Sequence, residues 1–393
     1  LAYPGYFGSE GLALLEKLNV IAYNEFSDLW EFKDTELLIP SQRESRCWIN
    51  GEDYADPIGH APDIQKFYDL IRPFYGQLPM PTRLIDKKWW HLNTVSFASF
   101  LQEKGPFSDV LIQGVDYQMY DDYGAGIEEV SALAGLHYYA CRPYEKKEIP
   151  LFSPPEGNYY FAQKLIAHSE VARMHNSHLV SKITPTESGY QVDVIDIHKK
   201  IINRYQAKAI VMAGKKHTVP YLFPFLGIKS DNQYVPWVSV NLIMPKTFEL
   251  RQPIWQNDVI GIDPYFQGYV NTSSQALTSR NLKSLTCYYC YPSDRRSDIL
   301  NLENQAETIV AQTVHYIEKV MEVNELSQHI IKAVVKLMGH AMAVPEVGFL
   351  GKDLNQEVPD DIAFAGVDNG RLPLFFEALD SGIVAAEKVR KIL

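Results

Sequence analysis

Residues 362–368 read Ile-Ala-Phe-Ala-Gly-Val-Asp, 369–376 read Asn-Gly-Arg-Leu-Pro-Leu-Phe-Phe, and 377–386 read Glu-Ala-Leu-Asp-Ser-Gly-Ile-Val-Ala-Ala. An apolar run of strand length, a glycine-bearing loop with Asp368, and a helix with Pro373 in its first turn are expected in that order. A strand that empties onto a helix N-terminus offers unpaired N–H groups and the positive end of a dipole to electron-rich oxygens. An acid in such a loop can accept hydrogen bonds from sugar-like hydroxyls. Ala378, Ser381, Gly382, Ala385 and Ala386 put small side chains on one helical face, so the helix can approach a sheet or a flat ring closely. The same face also suits a terminal helix that is simply well packed.

Three upstream stretches belong with this one. Pro155-Glu-Gly157-Asn158 is a turn before a helical run from Tyr159 toward Arg173, Ser177-His-Leu-Val180-Ser-Lys-Ile183 is a strand, and Ala209-Ile-Val-Met-Ala213-Gly214 is an apolar strand ending in glycine. Together the four segments resemble, in order, the flavin-containing amine oxidase superfamily over residues 151–393. The flanks 122–126, 134–139 and 339–342 look most like its bacterial spermidine dehydrogenase-like branch. The resemblance implies FAD as cofactor, held by Gly157, Asn158, Val180, Ala213, Gly214, Gly366, Asp368, Asn369, Leu374 and Phe375. Val180 would pair its backbone with the adenine, and Phe375 would offer its N–H to a ring carbonyl. It implies hydride transfer to the flavin from a C–N bond, or from an activated C–C or C–H bond, of a small molecule, a polyamine in the nearest branch. The sequence departs from the pattern at Glu377, where glycine is usual, at Asp368, one position beyond the usual acid, and at Leu374, where monoamine oxidases carry a cage tyrosine.

No strand followed by GxGxxG, with an acid about 20 residues beyond, occurs in the 393 residues. That loop would bind the FAD diphosphate. The expectation is therefore a heteromer in which a second polypeptide supplies the missing unit, as a separate gene product or a cleavage product with Leu1 at the junction. The alternative is a non-catalytic, flavin-free binding or scaffolding subunit that kept the fold.

The rest of the chain is read as substrate domain. Residues 1–60 suggest a helix near Ser9–Leu18 and little else. From Asp63 to Ala140 the stripes Ile64, Phe67, Tyr68, Ile71 and Val95, Phe97, Leu101 predict a helical cap. Tyr190–Ile197 and Ile201–Tyr205 form a hairpin, Trp237–Cys290 an antiparallel sheet, Val310 to Met321 an amphipathic helix, and Ile331–Met338 a strand. The expected fold is α/β: a discontinuous FAD-binding Rossmann-like domain, with an α+β substrate domain of mixed or antiparallel sheet and helical cap. The segments are 1–150 (mainly helical substrate part), 151–215 (FAD segment), 216–335 (substrate sheet and helix) and 336–393 (C-terminal FAD segment).

Charge and composition bound the function. Lys plus Arg number 37 against 48 Asp plus Glu, a net charge of −11, so no broad basic field exists and nucleic acid is not an expected partner. No apolar stretch approaches the ~20 residues that span a bilayer, so no integral membrane protein is expected. Four cysteines make no dense disulfide framework, and Cys287-x-x-Cys290 sits in an aromatic strand as buried thiols. A cytoplasmic location is expected, or a periplasmic one after leader removal, since Leu1 stands in place of Met. His137 and His340 are the candidate acid–base residues, each also suited to a hydrogen-bonded core. Trp237, Tyr265 and Phe266 are candidates to line a substrate cavity. Asp121 and Asp122 could draw a cationic polyamine or be solvated charges.

Overall fold

The computed structural model describes residues 7–39, 45–141, 151–169, 173–248, 254–274 and 282–393, with the side chains of residues 300 and 303 set aside. Leu1 and the stretch through which the first FAD-segment helix was expected to reach Arg173 lie outside them. Helix α1 (Ser9–Lys17) is followed by strands β1 (Ile21–Asn24), β2 (Leu29–Phe32), β3 (Leu38–Ile39), β4 (Ser45–Ile49) and β5 (Glu52–Tyr54). The cap comprises α2 (Ile64–Ile71), α3 (Phe97–Lys104), α4 (Asp109–Tyr123) and α5 (Ala132–Ala140); serines 96, 108 and 131 cap the last three through their hydroxyls. Next come β6 (Leu151–Phe152), α6 (Tyr159–His168), β7 (His178–Thr186), β8 (Gly189–Asp196), β9 (Ile201–Ala207), β10 (Ile210–Met212) and α7 (Val219–Leu222). Strands β11 (Tyr234–Pro245), β12 (Gln256–Ile260), β13 (Phe266–Asn271) and β14 (Leu282–Cys290) precede α8 (Arg296–Leu302) and α9 (Ala306–Met321). The chain closes with β15 (Lys332–Ala343), β16 (Ile362–Phe364) and α10 (Phe375–Arg390).

The main sheet has seven strands in the order β15-β11-β14-β13-β12-β4-β5 and is mixed, because β4 runs parallel to β12 while the other neighbours are antiparallel. Strand periodicity divides its side chains. Val238, Val240, Leu242, Leu285, Cys287 and Tyr289 pack with Ile309, Val314 and Ile317 of α9, whereas Val235, Trp237 and Cys290 join the cap. Two cysteines three apart on one strand therefore look to opposite sides of the sheet.

A smaller unit stacks three layers. The parallel pair β10–β16, register Ile210↔Ile362 to Met212↔Phe364, carries α10 on one side through Ala363, Ala365, Ala385 and Val389. On the other side Ile362, Phe364 and Met212 pack with Val219 and Phe223 and with Ile183 and Tyr190 of the β7-β8-β9 meander. The small-residue face expected on the last helix is thus used in part: Ser381 and Ala385 meet β16, while Ala386 is exposed.

Three expectations change. The first sixty residues hold five strands besides α1, two of which extend the main sheet. β1–β2 and β4–β5 are short local hairpins, but β3 pairs with β6 and β4 with β12, both remote in sequence, and Cys47-Trp48-Ile49 alone is too short to show a period. The hairpin 190–205 is a three-stranded meander, because β7 pairs along β8 from His178↔Asp196 to Thr186↔Gly189. The last helix begins at Phe375, not Pro373, since Leu374 is still extended (φ −119°, ψ 148°).

Candidate functional site

Ligands of parallel α/β sheets sit beyond the carboxyl ends of the strands. Here β10 and β16 end side by side, Ala365 N–H donating to Met212 O at 2.8 Å, so Ala213-Gly214 and Gly366 emerge together. Gly366 has φ +116° and Gly370 φ +73°, values that suit glycine and turn the loop sharply. Between them Asp368, buried, accepts from Tyr234 Oη at 2.6 Å and from the Lys216 backbone N–H at 3.0 Å, with Lys215 Nζ at 3.6 Å. Burial and the adjoining carboxylate push the Tyr234 phenol far up, so it stays a donor. Asn232 Nδ2 donates to Asp368 O at 2.9 Å. Asn369 is spent on the loop itself: its Oδ1 accepts from Leu354 N at 2.7 Å and its Nδ2 donates to Asp353 at 2.6 Å.

The main sheet reaches this corner through a bulge. Val235 pairs with Met342 and Trp237 with Met338, so Gly339, His340 and Ala341 stand opposite Pro236 alone. Proline has no N–H to give the ladder, and an irregularity at that point follows. The carbonyls freed by it are collected by cations: Arg296 Nε donates to Gly339 O at 2.7 Å, its Nη2 to Tyr234 O at 3.0 Å, and Lys215 Nζ to Ala341 O at 3.2 Å. The bulge carries His340 against His217, their rings stacked with centroids 4.0 Å apart and planes 15° apart, both edge-on to Tyr234. Burial, and then the neighbouring His217, Arg296 and Lys215, lower the His340 pKa. Burial lowers His217 too, Asp368 opposing it and Lys215 and Arg296 adding to it.

A second cluster fastens the start of α10. Glu377 is fully buried, accepts from the Thr82 N–H at 2.7 Å and lies 3.4 Å from Arg371; burial raises its pKa despite that arginine. Arg371 also meets Asp380 at 3.1 Å, which Arg83 grips with two bonds of 2.8 and 2.9 Å. The helix start has no side-chain cap, and its first-turn N–H groups lie beside Leu374 and half-buried Phe375, the latter stacked on Phe161 at 4.6 Å.

Of the candidate residues, Ala213, Gly214, Gly366, Asp368, Asn369 and His340 come to one corner, with Leu374 and Phe375 a few residues along the same loop. Gly157 and Asn158 lead into α6, whose Phe161 touches Phe375. Val180 lies half-exposed on β7. His137 is elsewhere: wholly buried on α5, its Nε2 is 3.3 Å from Pro79 O and burial pushes its pKa down to about 4. Trp237 faces the cap, while Tyr265 and Phe266 face α9 on the other side of the sheet, so the three do not share a surface. Lys215, His217, Tyr234 and Arg296 were not expected; their only sequence signal is Pro236 inside a strand.

The corner has room. A Cβ added at Gly366, Gly382 or Gly157 meets nothing within 4 Å and at Gly214 only the Met212 side chain, whereas one at Gly124 or Gly135 collides with packed side chains. Among the described residues Trp237 Nε1, His217 Nδ1 and Asn232 Oδ1 are buried without hydrogen-bond partners, as polar groups awaiting a ligand would be.

By sequence, no family model and no curated protein matches the chain. By structure, it is similar to a variant of putrescine oxidase redesigned in cofactor binding (12% identity, TM-score 0.63, 97% of this chain and 85% of that one). It is likewise similar to cyclohexylamine oxidase from Brevibacterium oxydans IH-35A (12%, 0.61, 98% and 87%). A third likeness is to a provisionally named protoporphyrinogen oxidase from Exiguobacterium sp. 255-15 (12%, 0.59, 96% and 84%). The chain has the fold of these proteins, a mixed α/β architecture with a large mixed sheet.

Proposed function

We propose that this chain is an FAD-dependent oxidoreductase of the amine oxidase type, acting on a C–N bond or an activated C–C or C–H bond of a small molecule. The observation that carries the reading is the corner at which β10 and β16 end together, with Asp368 held by Tyr234 and an open glycine edge, in a fold shared with several oxidases. The residues present fit the cofactor: Gly366, Gly214 and Gly382 leave the space, and Trp237 Nε1 and His217 Nδ1 offer unpaired polar atoms. Asp368 and the Gly366 loop, Ala213-Gly214, Gly157-Asn158, Val180, and the α10 start at Leu374 and Phe375 would hold it. Bound FAD supplies two-electron oxidation.

The chain's own part is positional and electrostatic. Tyr234 and the Lys216 N–H orient the Asp368 carboxylate, and Asn369 locks the loop that presents it. The small faces of Ser381 and Ala385 seat α10 against β16. The paired imidazoles, whose burial favours the neutral form, can accept a proton at a ring nitrogen only by becoming cationic, so they would return it readily. Trp237 and the cap exclude water from the side of the sheet they cover.

No GxGxxG unit occurs in these 393 residues, and we propose that a unit outside them, a second polypeptide being one source, binds the FAD diphosphate. The pair β10–β16 has no further strand beside it among the described residues, and Val211 in the middle of β10 is exposed. The test is to denature the chain purified with its candidate partner and record the supernatant spectrum. Released FAD supports the reading; a colourless supernatant from every preparation, with no rise in melting temperature on adding FAD, favours the scaffold.

A further inference from the structure

Charges around Asp368 do not balance. Two cationic side chains, Lys215 and Arg296, face one carboxylate, Asp368, which lies 3.6 Å from Lys215 and accepts hydrogen bonds from Tyr234 and the Lys216 N–H. Arg296 spends its donors on two carbonyl oxygens and has no carboxylate partner among the described residues, so its charge stays uncompensated. The next acids are occupied as well, Asp231 by Lys216 at 3.3 Å and Glu346 by Lys352 at 2.7 Å. Beside these cations stand two stacked imidazoles, which add N–H donors and no negative charge. A cationic amine placed here would face two like charges against the single carboxylate of Asp368, whose Oδ1 already faces Lys215 at 3.6 Å. An oxyanion would complete charge-assisted hydrogen bonds with Lys215 and with an imidazole N–H.

We infer that this corner receives an oxyanion, a carboxylate or phosphate group carried by the substrate. The inference rests on the flavoenzyme reading above and narrows it: the molecule oxidised is anionic at the end that meets Lys215, His217 and His340, whatever bond reacts.

Isothermal titration of the full chain with inorganic phosphate, and separately with putrescine at matched ionic strength, tests it without any flavin chemistry. Phosphate is expected to bind, Lys215→Gln to weaken it about tenfold, and Lys215→Arg to restore it; His217→Asn gives a second, independent loss. Putrescine is expected to bind more weakly than phosphate. No phosphate binding, binding indifferent to both Lys215→Gln and His217→Asn, or putrescine binding tighter than phosphate overturns the inference. Repeating the titration on FAD-loaded protein distinguishes the source. Retained phosphate binding assigns the corner to substrate; displacement by FAD assigns the oxyanion to the cofactor's own diphosphate and overturns the substrate assignment. A chain that takes up phosphate but never FAD sinks the flavoenzyme reading while leaving the oxyanion site standing.

Discussion

Tyr234 and His137 are both buried polar side chains, and their surroundings assign them opposite consequences. The Tyr234 hydroxyl gives Asp368 one of its hydrogen bonds, so Tyr234→Phe leaves the buried carboxylate with only the Lys216 N–H and the more distant Lys215. We expect a loss of about 1–3 kcal/mol in urea unfolding together with weaker FAD uptake; unchanged stability would mean that water replaces the phenol. His137 has no acid near it, and desolvation holds its folded pKa at about 4 against 6.5 for the free side chain. As pH falls, the unfolded chain binds the proton first. The stabilisation is therefore complete above pH 6.5 and is lost between 6.5 and about 4, by up to about 3 kcal/mol at the lower end. Between pH 7.5 and 5 the unfolding free energy of wild type should fall relative to that of His137→Phe, and parallel curves refute the assignment. At this scale His340 could be found from the sequence, because it precedes a loop near a recognisable strand. His217, Tyr234 and Lys215 could not, since what unites them is a bulge that positions Gly339 to Ala341 across from a proline about a hundred residues away.

Elements were legible where their period is local. Helix α10 and strand β16 could be read from the alternation of small and branched residues, and they pack as that pattern requires, Ala385 against Ala363 and Ala365. Ala385→Leu should therefore overpack the interface and cost about 1–3 kcal/mol, seen as a lower urea midpoint, whereas Ala386→Leu, on the exposed side of the same turn, should be close to neutral. Strand β4 escaped because a five-residue strand paired in parallel with residues 256–260 is decided by contacts two hundred residues distant, and β5, paired only with β4, went with it. The fastening of α10 was hidden for a different reason. Glu377 stands where the resembling family carries glycine, and only the fold shows that it reaches the Thr82 N–H and Arg371 instead of solvent. Removing it leaves that N–H without its acceptor and Arg371 with Asp380 alone. Glu377→Ala should cost about 3–5 kcal/mol and Glu377→Gln distinctly less, because the amide oxygen can still accept from Thr82.

Across the whole molecule, composition and local chemistry point in different directions. The net charge of −11 argues against a broad basic face, yet it says nothing about a corner where Lys215 and Arg296 outnumber a single carboxylate; summed charge carries no position. Helical spans give the same kind of bounded statement: no helix among the described residues is long and apolar enough to cross a membrane. Core placement is more informative. The seven-stranded sheet is covered on both faces, by the cap and by α9, and has little need of a partner. The β10–β16 pair differs, since two strands with an apolar, solvent-facing flank are a marginal sheet on their own. Val211, 43% exposed in the middle of β10, is the residue a docking strand–loop–helix unit would cover. If such a unit docks there, Val211→Lys should lower the melting temperature of the chain only slightly, because the side chain is largely exposed, and yet abolish flavin uptake. If Val211→Lys retains flavin at wild-type stoichiometry, the second polypeptide docks elsewhere or is not required, and the open edge of β10 is only a tolerated surface.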